Sequence, residues 1–359
     1  KIKEFNFGVD LSVLQNRISL TADAYRRLSD GQIMKATVPL ETGEGSITTN
    51  IGAVRNTGIE LGLNLSVIRN KNFTWDVNLA FARNWSKITE LPNGDDVSSN
   101  WFIGERLNVL RDYTSAGIIT TDGITMRTKD GSRHYTLQEV YDTFGPGGQG
   151  LKWYEGQMAV NDWNNDGKID DEDKQIFGCT DPKWTGSLSS TMTYKGFDFS
   201  FMLYTKQGQW SRSYFHEQYM NYGDRGRQKM NFDYYIPAGT PVLDKNTGDV
   251  TYLSEAHIGK YPYPNNTEKT GGGYFSSSSA AVRYHKTSFV KVKNITLGYT
   301  FPKAWMSKIA VKHLRLYVNV INPFCFTDYE GFDPEWASAN LTNGGPASVT
   351  YQIGANIKF

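Results

Sequence analysis

One twelve-residue stretch of the sequence carries oxygen-bearing side chains at the spacing of a calcium-binding loop. The stretch is "DWNNDGKIDDED", residues 162–173, and Gly167 stands at the sixth position, where such loops turn sharply. Ca²⁺ prefers six to eight oxygen ligands. We therefore predict a structural Ca²⁺ site. The alternative is a surface turn held only by Asx hydrogen bonds. The predicted ligands are Asp162, Asn164, Asp166, the main-chain carbonyl of Lys168, Asp170 and Asp173.

The last position of this loop carries Asp173, where the motif has a bidentate Glu. The shorter side chain reaches less far, which predicts a weak site. Calcium outside the cell is abundant enough for a weak site to be useful, so we expect the ion to stiffen an extracellular loop.

A second set of residues suits ligand binding because it consists of flat aromatic side chains in irregular segments. Aromatic faces bury the CH-rich faces of sugars while sugar hydroxyls form hydrogen bonds elsewhere. The alternative is that these side chains pack their own loops or a partner. The candidates for substrate binding are Trp101, Trp153, Tyr154, Trp163, Trp210 and Tyr214.

Signals for catalysis and nucleic-acid binding are weak. The five His are scattered, and no nucleophile and base stand together in a way that suggests hydrolysis, so we expect no enzyme. The net charge of +1 gives no basic patch for nucleic acid. Cys179 and Cys325 lack CxxC spacing, which argues against zinc, and the sequence leaves open whether they pair.

The elements that position these residues show a period of two. In "FNFGVDLSV", the apolar side chains from Phe5 to Val13 alternate with Asn6, Gly8, Asp10 and Ser12. About nine such runs occur, with almost no convincing helix, which predicts an all-β antiparallel fold. The polar positions are mainly Ser, Thr, Asn, Gly and Asp, which suit a crowded wet interior. A soluble sandwich with the apolar face as its core remains the alternative.

The lengths of the connections favour a transmembrane β-barrel over a sandwich. Short turns alternate with the long segments 28–56, 86–184, 208–285 and 322–348. Short periplasmic turns and long extracellular loops are the layout of outer-membrane barrels. Nine strands is an odd number, so the chain is expected to be part of a larger barrel. Lys291 and Lys293 are expected to face the lumen or a rim, because lipid would cost about 2 to 4 kcal/mol per charge.

Several segments together resemble the C-terminal part of the barrel in SusC/RagA-type TonB-dependent transporters of Bacteroidetes. They include "NIGAVRNTGIELGL", "SFVKVKNITLGYTFP" and "LRLYVNVINPFCFTDYEGFDPE". The resemblance covers nearly the whole chain, residues 1–359. It implies a 22-stranded barrel in the outer-membrane lipid, with an N-terminal plug and earlier strands outside this chain. It also implies a SusD-like surface lipoprotein, TonB, and import of oligosaccharides or peptides.

The chain ends on an alternating strand whose last residue is aromatic. This pattern looks like the signal by which outer-membrane barrels are recognised for insertion, carried here by Tyr351, Ile353, Ala355, Ile357 and Phe359. Two other functions remain open from the sequence. One is a soluble, calcium-stabilised, carbohydrate-binding β-sandwich, and the other is a structural outer-membrane barrel without energy coupling.

Overall fold

The structure is a computed structural model that describes residues 1–37, 46–145, 150–219, 233–244, 246–263, 283–306, 311–338 and 347–359. The strands in these ranges are β1 (Ile2–Val13), β2 (Ile18–Thr37), β3 (Ser46–Arg69), β4 (Phe73–Glu90), β5 (Val109–Asp112), β6 (Ser115–Ile118), β7 (Ile124–Thr128), β8 (Gly131–Tyr135), β9 (Met158–Val160), β10 (Gln175–Cys179), β11 (Trp184–Tyr194), β12 (Phe197–Gln207), β13 (Trp210–Arg212), β14 (Pro241–Leu243), β15 (Val250–Tyr252), β16 (Tyr284–Lys286), β17 (Phe289–Thr300), β18 (His313–Phe326) and β19 (Thr350–Lys358).

The helices in the described ranges are short. The α-helices are α1 (Leu137–Phe144), α2 (Tyr214–Tyr219) and α3 (Lys303–Met306), and single 3₁₀ turns occupy Leu151–Trp153, Asp171–Asp173 and Pro334–Trp336. Within these ranges, no helix combines the length and the apolar character needed to cross a membrane.

Nine long strands form one antiparallel sheet, which we call the wall. Its order is β1-β2-β3-β4-β11-β12-β17-β18-β19, so each strand pairs with the next one along the chain that belongs to the sheet. The nine strands and the all-β class predicted from alternation are confirmed. The wall does not close on itself, and β1 and β19 are its two edges.

Tight turns join the wall strands at one end. Between β11 and β12, Lys195 and Gly196 both have positive φ, 47° and 92°, which is the pattern of a type I′ hairpin turn. A Cβ atom at Gly196 would lie 2.7 Å from the carbonyl oxygen of Thr300, so glycine is required there on two grounds. At the same end, a longer connection that contains α3 joins β17 to β18. The connections from β2 to β3, β4 to β11, β12 to β17 and β18 to β19 leave the opposite end of the wall, which we call the loop end.

The wall exposes its apolar side chains on one face. On β1, Phe5 is 72% exposed and Phe7 62% exposed, and Ile353 on β19 reaches 87%. The other face carries small polar residues that form cross-strand hydrogen bonds, including Thr74 with Thr193 at 2.6 Å. Apolar rows without a protein partner on one face, and a polar face on the other, fit a wall between lipid and a watery lumen. We call these the outer and inner faces.

The prediction that residues 28–56 form a long loop is partly wrong. β2 continues to Thr37 and β3 starts at Ser46, so the two strands extend as a paired ribbon far into the predicted loop. The turn-like residues Asp30 and Gly31 sit instead at a break in the strand register, where Gly31 has a φ of 69°. Likewise β4 runs to Glu90 and β18 to Phe326, beyond their predicted ends.

The largest buried apolar clusters lie in the loops. The main cluster, which we call the loop core, is built from the connection between β4 and β11. Smaller clusters join this connection to Tyr235 and Tyr261, and to Val54 and Ile88 at the loop end of the wall. The buried members of the loop core are Ile119, Ile124, Met126, Tyr135, Val140, Tyr154 and Ala159.

Cys179 and Cys325 are both free thiols, which settles the pairing that the sequence left open.

Candidate functional site

The predicted calcium loop is a compact turn fixed by its own carboxylates. The two oxygens of Asp162 accept the main-chain N–H groups of Asp166 at 3.2 Å and Gly167 at 3.0 Å. Asn164 Oδ1 accepts the N–H of Asp166 at 3.1 Å, and Asp166 Oδ1 accepts that of Lys168 at 2.8 Å. Gly167 takes the sharp turn with a φ of 81°. These are short-range bonds that the spacing of Asp, Asn and Gly dictates.

The far end of the loop folds back on its beginning through Asp173. Its Oδ1 accepts the N–H of Trp163 at 2.6 Å and its Oδ2 that of Asp170 at 2.9 Å. Asp162 and Asp173 are both fully buried. Burial raises the pKa of Asp173, and the nearby charge of Asp162 adds to this, although three main-chain N–H groups oppose it.

The fit of this loop to a metal ion is partial. Two buried carboxylates that repel each other are favourable for a cation, which would compensate their charge. Within the described residues, however, no group of three or more His, Cys, Asp or Glu side chains is arranged so that it could hold a metal ion. Asp170 Oδ1 caps the 3₁₀ turn by accepting the N–H of Glu172 at 2.9 Å. The ligand set therefore stays a prediction.

The six aromatic candidates for substrate binding occupy different places. Trp153 and Tyr154 contact each other with ring centroids 5.0 Å apart, and both belong to the loop core or pack against it. Tyr154 is fully buried, so no face of its ring is open to a ligand in this structure. Trp101 packs against the cluster of Val54 and Ile88. Trp163 is half-buried in the calcium loop.

Trp210 and Tyr214 lie in the connection between β12 and β17. Trp210 covers Gly178, contacts Phe177 at 5.5 Å between ring centroids and lies under the ammonium of Lys286. Tyr214 begins α2, and the guanidinium of Arg212 lies 5.3 Å from its ring. Both aromatic rings are half-buried. Their role in substrate binding stays a prediction, as it does for Trp101, Trp153 and Trp163.

A buried polar cluster that the sequence did not reveal joins two long loops, and we call it the loop junction. Ser213 Oγ lies 2.6 Å from Nδ1 of His216 and 2.5 Å from the hydroxyl of Tyr329. Nε2 of His216 lies 3.3 Å from the hydroxyl of Tyr261, which donates to Glu330. Burial, followed by the charges of His285 and Lys260, lowers the pKa of His216 to about 3.

One potential nucleophile and one potential base are in contact in the structure, Ser213 and His216. Ser213 directly precedes α2, and its Oγ also accepts the N–H of His216 at 3.3 Å, so it acts as the helix N-cap. Ser213 is fully buried and His216 is 1% exposed. The pair therefore stabilises a helix end, and substrate has no access to it.

A second buried polar cluster pins the loop between β18 and β19 to the inner face. Nζ of Lys291 lies 2.9 Å from both oxygens of Asp333 and 2.5 Å from Oε2 of Glu335. Lys293 Nζ lies 2.9 and 2.8 Å from the two oxygens of Glu335. Lys291 is 2% exposed, whereas the neighbouring Val290 is exposed on the outer face. Both lysines thus avoid the lipid side, as expected.

Comparisons with known proteins agree with this architecture. No protein-family model matches the chain. The chain is 28% identical to TonB-dependent receptor P39 of Formosa agariphila over 383 residues, which is 99% of the chain and 35% of that protein. It is 29% identical to TonB-dependent receptor SusC of Bacteroides thetaiotaomicron over 362 residues, which is 100% of the chain and 32% of that protein.

The fold matches that of a solved transporter. The RagAB peptide transporter superimposes with a TM-score of 0.65 and 21% identity, covering 100% of the chain and 35% of the matched chain. The same importer in its open-open state gives a TM-score of 0.65. The chain spans about a third of the length of the relatives that it matches. It is therefore a homologue of TonB-dependent receptors such as SusC, it has the fold of part of the RagAB transporter, and its nine-stranded wall is part of an outer-membrane β-barrel.

Proposed function

We propose that the chain forms part of the wall and extracellular mouth of an importer that brings nutrient oligosaccharides across the outer membrane. The observation that carries this proposal is the polarity of the wall, with apolar rows outside and a polar inner face, together with long loops at one end only. A wall of this kind encloses a path and supports a mouth. The importer works with a SusD-like surface lipoprotein, and TonB supplies the energy.

Oligosaccharides and peptides are the two substrate classes that the family resemblance implies. The solved relative is named a peptide transporter, and SusC, named a TonB-dependent receptor, is the more similar in sequence, at 29% against 21% identity. We favour oligosaccharides because half-buried aromatic side chains in the long loops, such as Trp101 and Trp210, suit sugar rings. Peptide import is the alternative that the experiment below separates.

The wall argues against the soluble β-sandwich considered from the sequence. A sandwich would bury its apolar rows in a core, whereas Phe5, Phe7 and Ile353 are mostly exposed. The structural barrel without energy coupling differs from an importer only in its dependence on TonB, which the experiment measures directly.

The test is uptake by cells that express the full-length protein. We expect deletion of its gene to abolish growth on one class of neutral oligosaccharide, and complementation to restore growth only when TonB is present. Growth that persists without TonB supports the non-energised barrel. Loss of growth on peptides, with oligosaccharide use intact, assigns the substrate to the other class.

We further propose that Ca²⁺ binds the loop 162–173 and stiffens the connection between β4 and β11. The proposal is supported by the spacing of the oxygen ligands and by the two buried carboxylates, Asp162 and Asp173. A chelator should increase hydrogen exchange in residues 113–178 of the full-length protein, and added Ca²⁺ should reverse this. Asp166→Asn, which leaves the turn able to form, should weaken the response, whereas Asp130→Asn outside the loop should not. An unchanged exchange pattern with chelator would show that the turn is held by hydrogen bonds alone.

A further inference from the structure

The segment 327–337, between β18 and β19, lies over the inner face of the wall. Its carboxylates Asp333 and Glu335 reach the ammonium groups of Lys291 and Lys293 on β17, which belong to the inner face. Hydrogen bonds from these lysines lower the pKa of Glu335 although burial opposes them, so the carboxylate is charged at neutral pH. The segment is thus folded toward the lumen.

Further contacts fix both ends of the segment. Thr327 Oγ1 donates to the carbonyl oxygen of Ser288 at 2.8 Å, next to the start of β17. At the other end, the carbonyl oxygen of Ala337 accepts the N–H of Tyr214 at 3.1 Å. Tyr329 enters the loop junction through its hydrogen bond with Ser213. A segment held at so many points is preorganised, and preorganised groups bind ligands at a lower entropic cost.

Two large aromatic side chains of this segment are nevertheless exposed. Phe332 is 54% exposed and Trp336 is 50% exposed. Asp333 has an extended backbone, so the side chain before it points away from the wall that Asp333 contacts. Phe215, which is 4% exposed, supports the ring of Phe332 with centroids 4.7 Å apart. Unlike the exposed aromatics of the outer face, these two belong to a segment that is anchored to the inner face.

The charges of the cluster that anchors the segment are already balanced. Two lysines face two carboxylates in the cluster that anchors the segment, and each ammonium contacts at least one carboxylate within 3 Å. A charged ligand such as a peptide terminus would find no spare partner in this cluster. A neutral molecule with apolar CH faces matches two open aromatic rings better.

We propose that Phe332 and Trp336 form a binding platform for the sugar rings of neutral oligosaccharides in the mouth of the barrel. The platform deepens the proposed import function and rests on it. The sequence did not single out either residue, because nothing in the local pattern marks the segment as anchored to a wall lysine 42 residues away.

The test is binding of maltoheptaose, xyloheptaose and a casein tryptic digest to the full-length protein in detergent, by isothermal titration calorimetry. For an oligosaccharide that the wild type binds, we expect Trp336→Ala and Phe332→Ala each to weaken binding about tenfold, and Trp336→Phe to retain most of it. Tyr252→Ala is the matched control, because Tyr252 is 70% exposed on β15 and should not matter.

The outcomes separate the platform from the function. Equal sugar affinity in wild type and both alanine variants overturns the platform and leaves the import proposal intact. A wild type that binds only the peptides overturns the oligosaccharide assignment itself, and the platform with it. Weaker association with the surface lipoprotein, with unchanged sugar affinity, also overturns the platform and makes the two rings a protein contact.

Discussion

The wall and the long loops treat apolar side chains in opposite ways. On the wall, Leu79, Leu61 and Ile353 stand in rows that remain 37 to 87% exposed. In the loops, Ile119, Met126 and Val140 are fully buried in a core. The wall is thus built for a surrounding that is itself apolar, whereas the loops bury their own core as a protein does in water. The two regions should respond differently to the same kind of change.

The largest effect is expected from a cavity in the loop core. Ile119→Ala removes part of a fully buried side chain, which should destabilise residues 113–178 by about 2 to 5 kcal/mol. Hydrogen exchange of that segment measures the loss. Leu243→Ala is the control, since Leu243 is 60% exposed and should cost less than about 0.5 kcal/mol. If Ile119→Ala instead prevented the wall from inserting, the two regions would not be separable.

The next effect tests the outer face of the wall. Leu79 pairs with Leu188 and Leu63 in the interior of the sheet, and Leu79→Arg should cost about 2 to 4 kcal/mol in a bilayer. The adjacent Asn78 faces the lumen and donates to Ser189 at 3.3 Å, so Asn78→Arg should cost much less. Urea titration of refolding into lipid vesicles gives both values. Equal costs would contradict the assignment of lipid and lumen sides.

A pH change should act on the loops and leave the wall unaffected. Below pH 6.5 an unfolded His216 binds a proton, but the buried imidazole does not until about pH 3. Above pH 6.5, His216 therefore contributes its full share to the stability of the loop junction. This contribution to the free energy of unfolding falls by about 1.4 kcal/mol per pH unit between pH 6.5 and about pH 3. The groups that face the imidazole are Ser213, Tyr261, Lys260, His285 and Tyr329.

Hydrogen exchange at pH 7 and pH 5 measures this loss at residues 213–216 and 329–337. His216→Gln should remove most of the pH dependence, while His134→Gln, at an exposed position of β8, should retain it. Equal sensitivity of the wall strands to pH would show that the junction and the wall unfold together.

The smallest effect concerns a polar group on the lipid side. Ser190 is 3% exposed on the outer face, and its Oγ accepts the indole N–H of Trp75 at 3.0 Å. Trp75→Phe leaves this hydroxyl without its partner and should cost about 1 kcal/mol in vesicles. The double variant with Ser190→Ala should recover part of the loss. If the two costs simply add, the hydrogen bond has no energetic role.

The wall strands could be predicted well from the sequence because the alternation of apolar and polar residues within each strand is a local pattern. Alternation from Phe5 to Val13, or from Tyr351 to Ile357, depends only on which side of a strand meets lipid. Two tyrosines near strand ends, Tyr25 and Tyr204, do not follow the rule that aromatic side chains of a barrel wall lie at the lipid interface. Tyr25 covers Gly58 across the strands, and Tyr204 lies near Lys293, so both belong to the inner face.

The loops were predicted less well because their contacts are long-range. The spacing of the calcium loop is visible within twelve residues, and its turn is present in the structure as such. The bonds from Lys291 to Asp333 and from Ser213 to Tyr329 join residues 42 and 116 positions apart, and no local pattern encodes them. The sequence does not show whether a charged residue near a strand end is exposed to solvent or forms an ion pair with a distant residue.

The register shift in β17 should make the wall more sensitive to a deletion than to a substitution at this position. The register of β17 against both neighbours shifts between Val292 and Asn294, so Lys293 is an extra residue that changes which face the following side chains occupy. Below it, Leu297 points outward, and above it Val290 does. Loss of a single codon here would turn one half of the strand inside out, whereas a replacement of Lys293 would remove only its ion pair with Glu335. In a mutational scan, deletions at this position should therefore be purged far more strongly than substitutions.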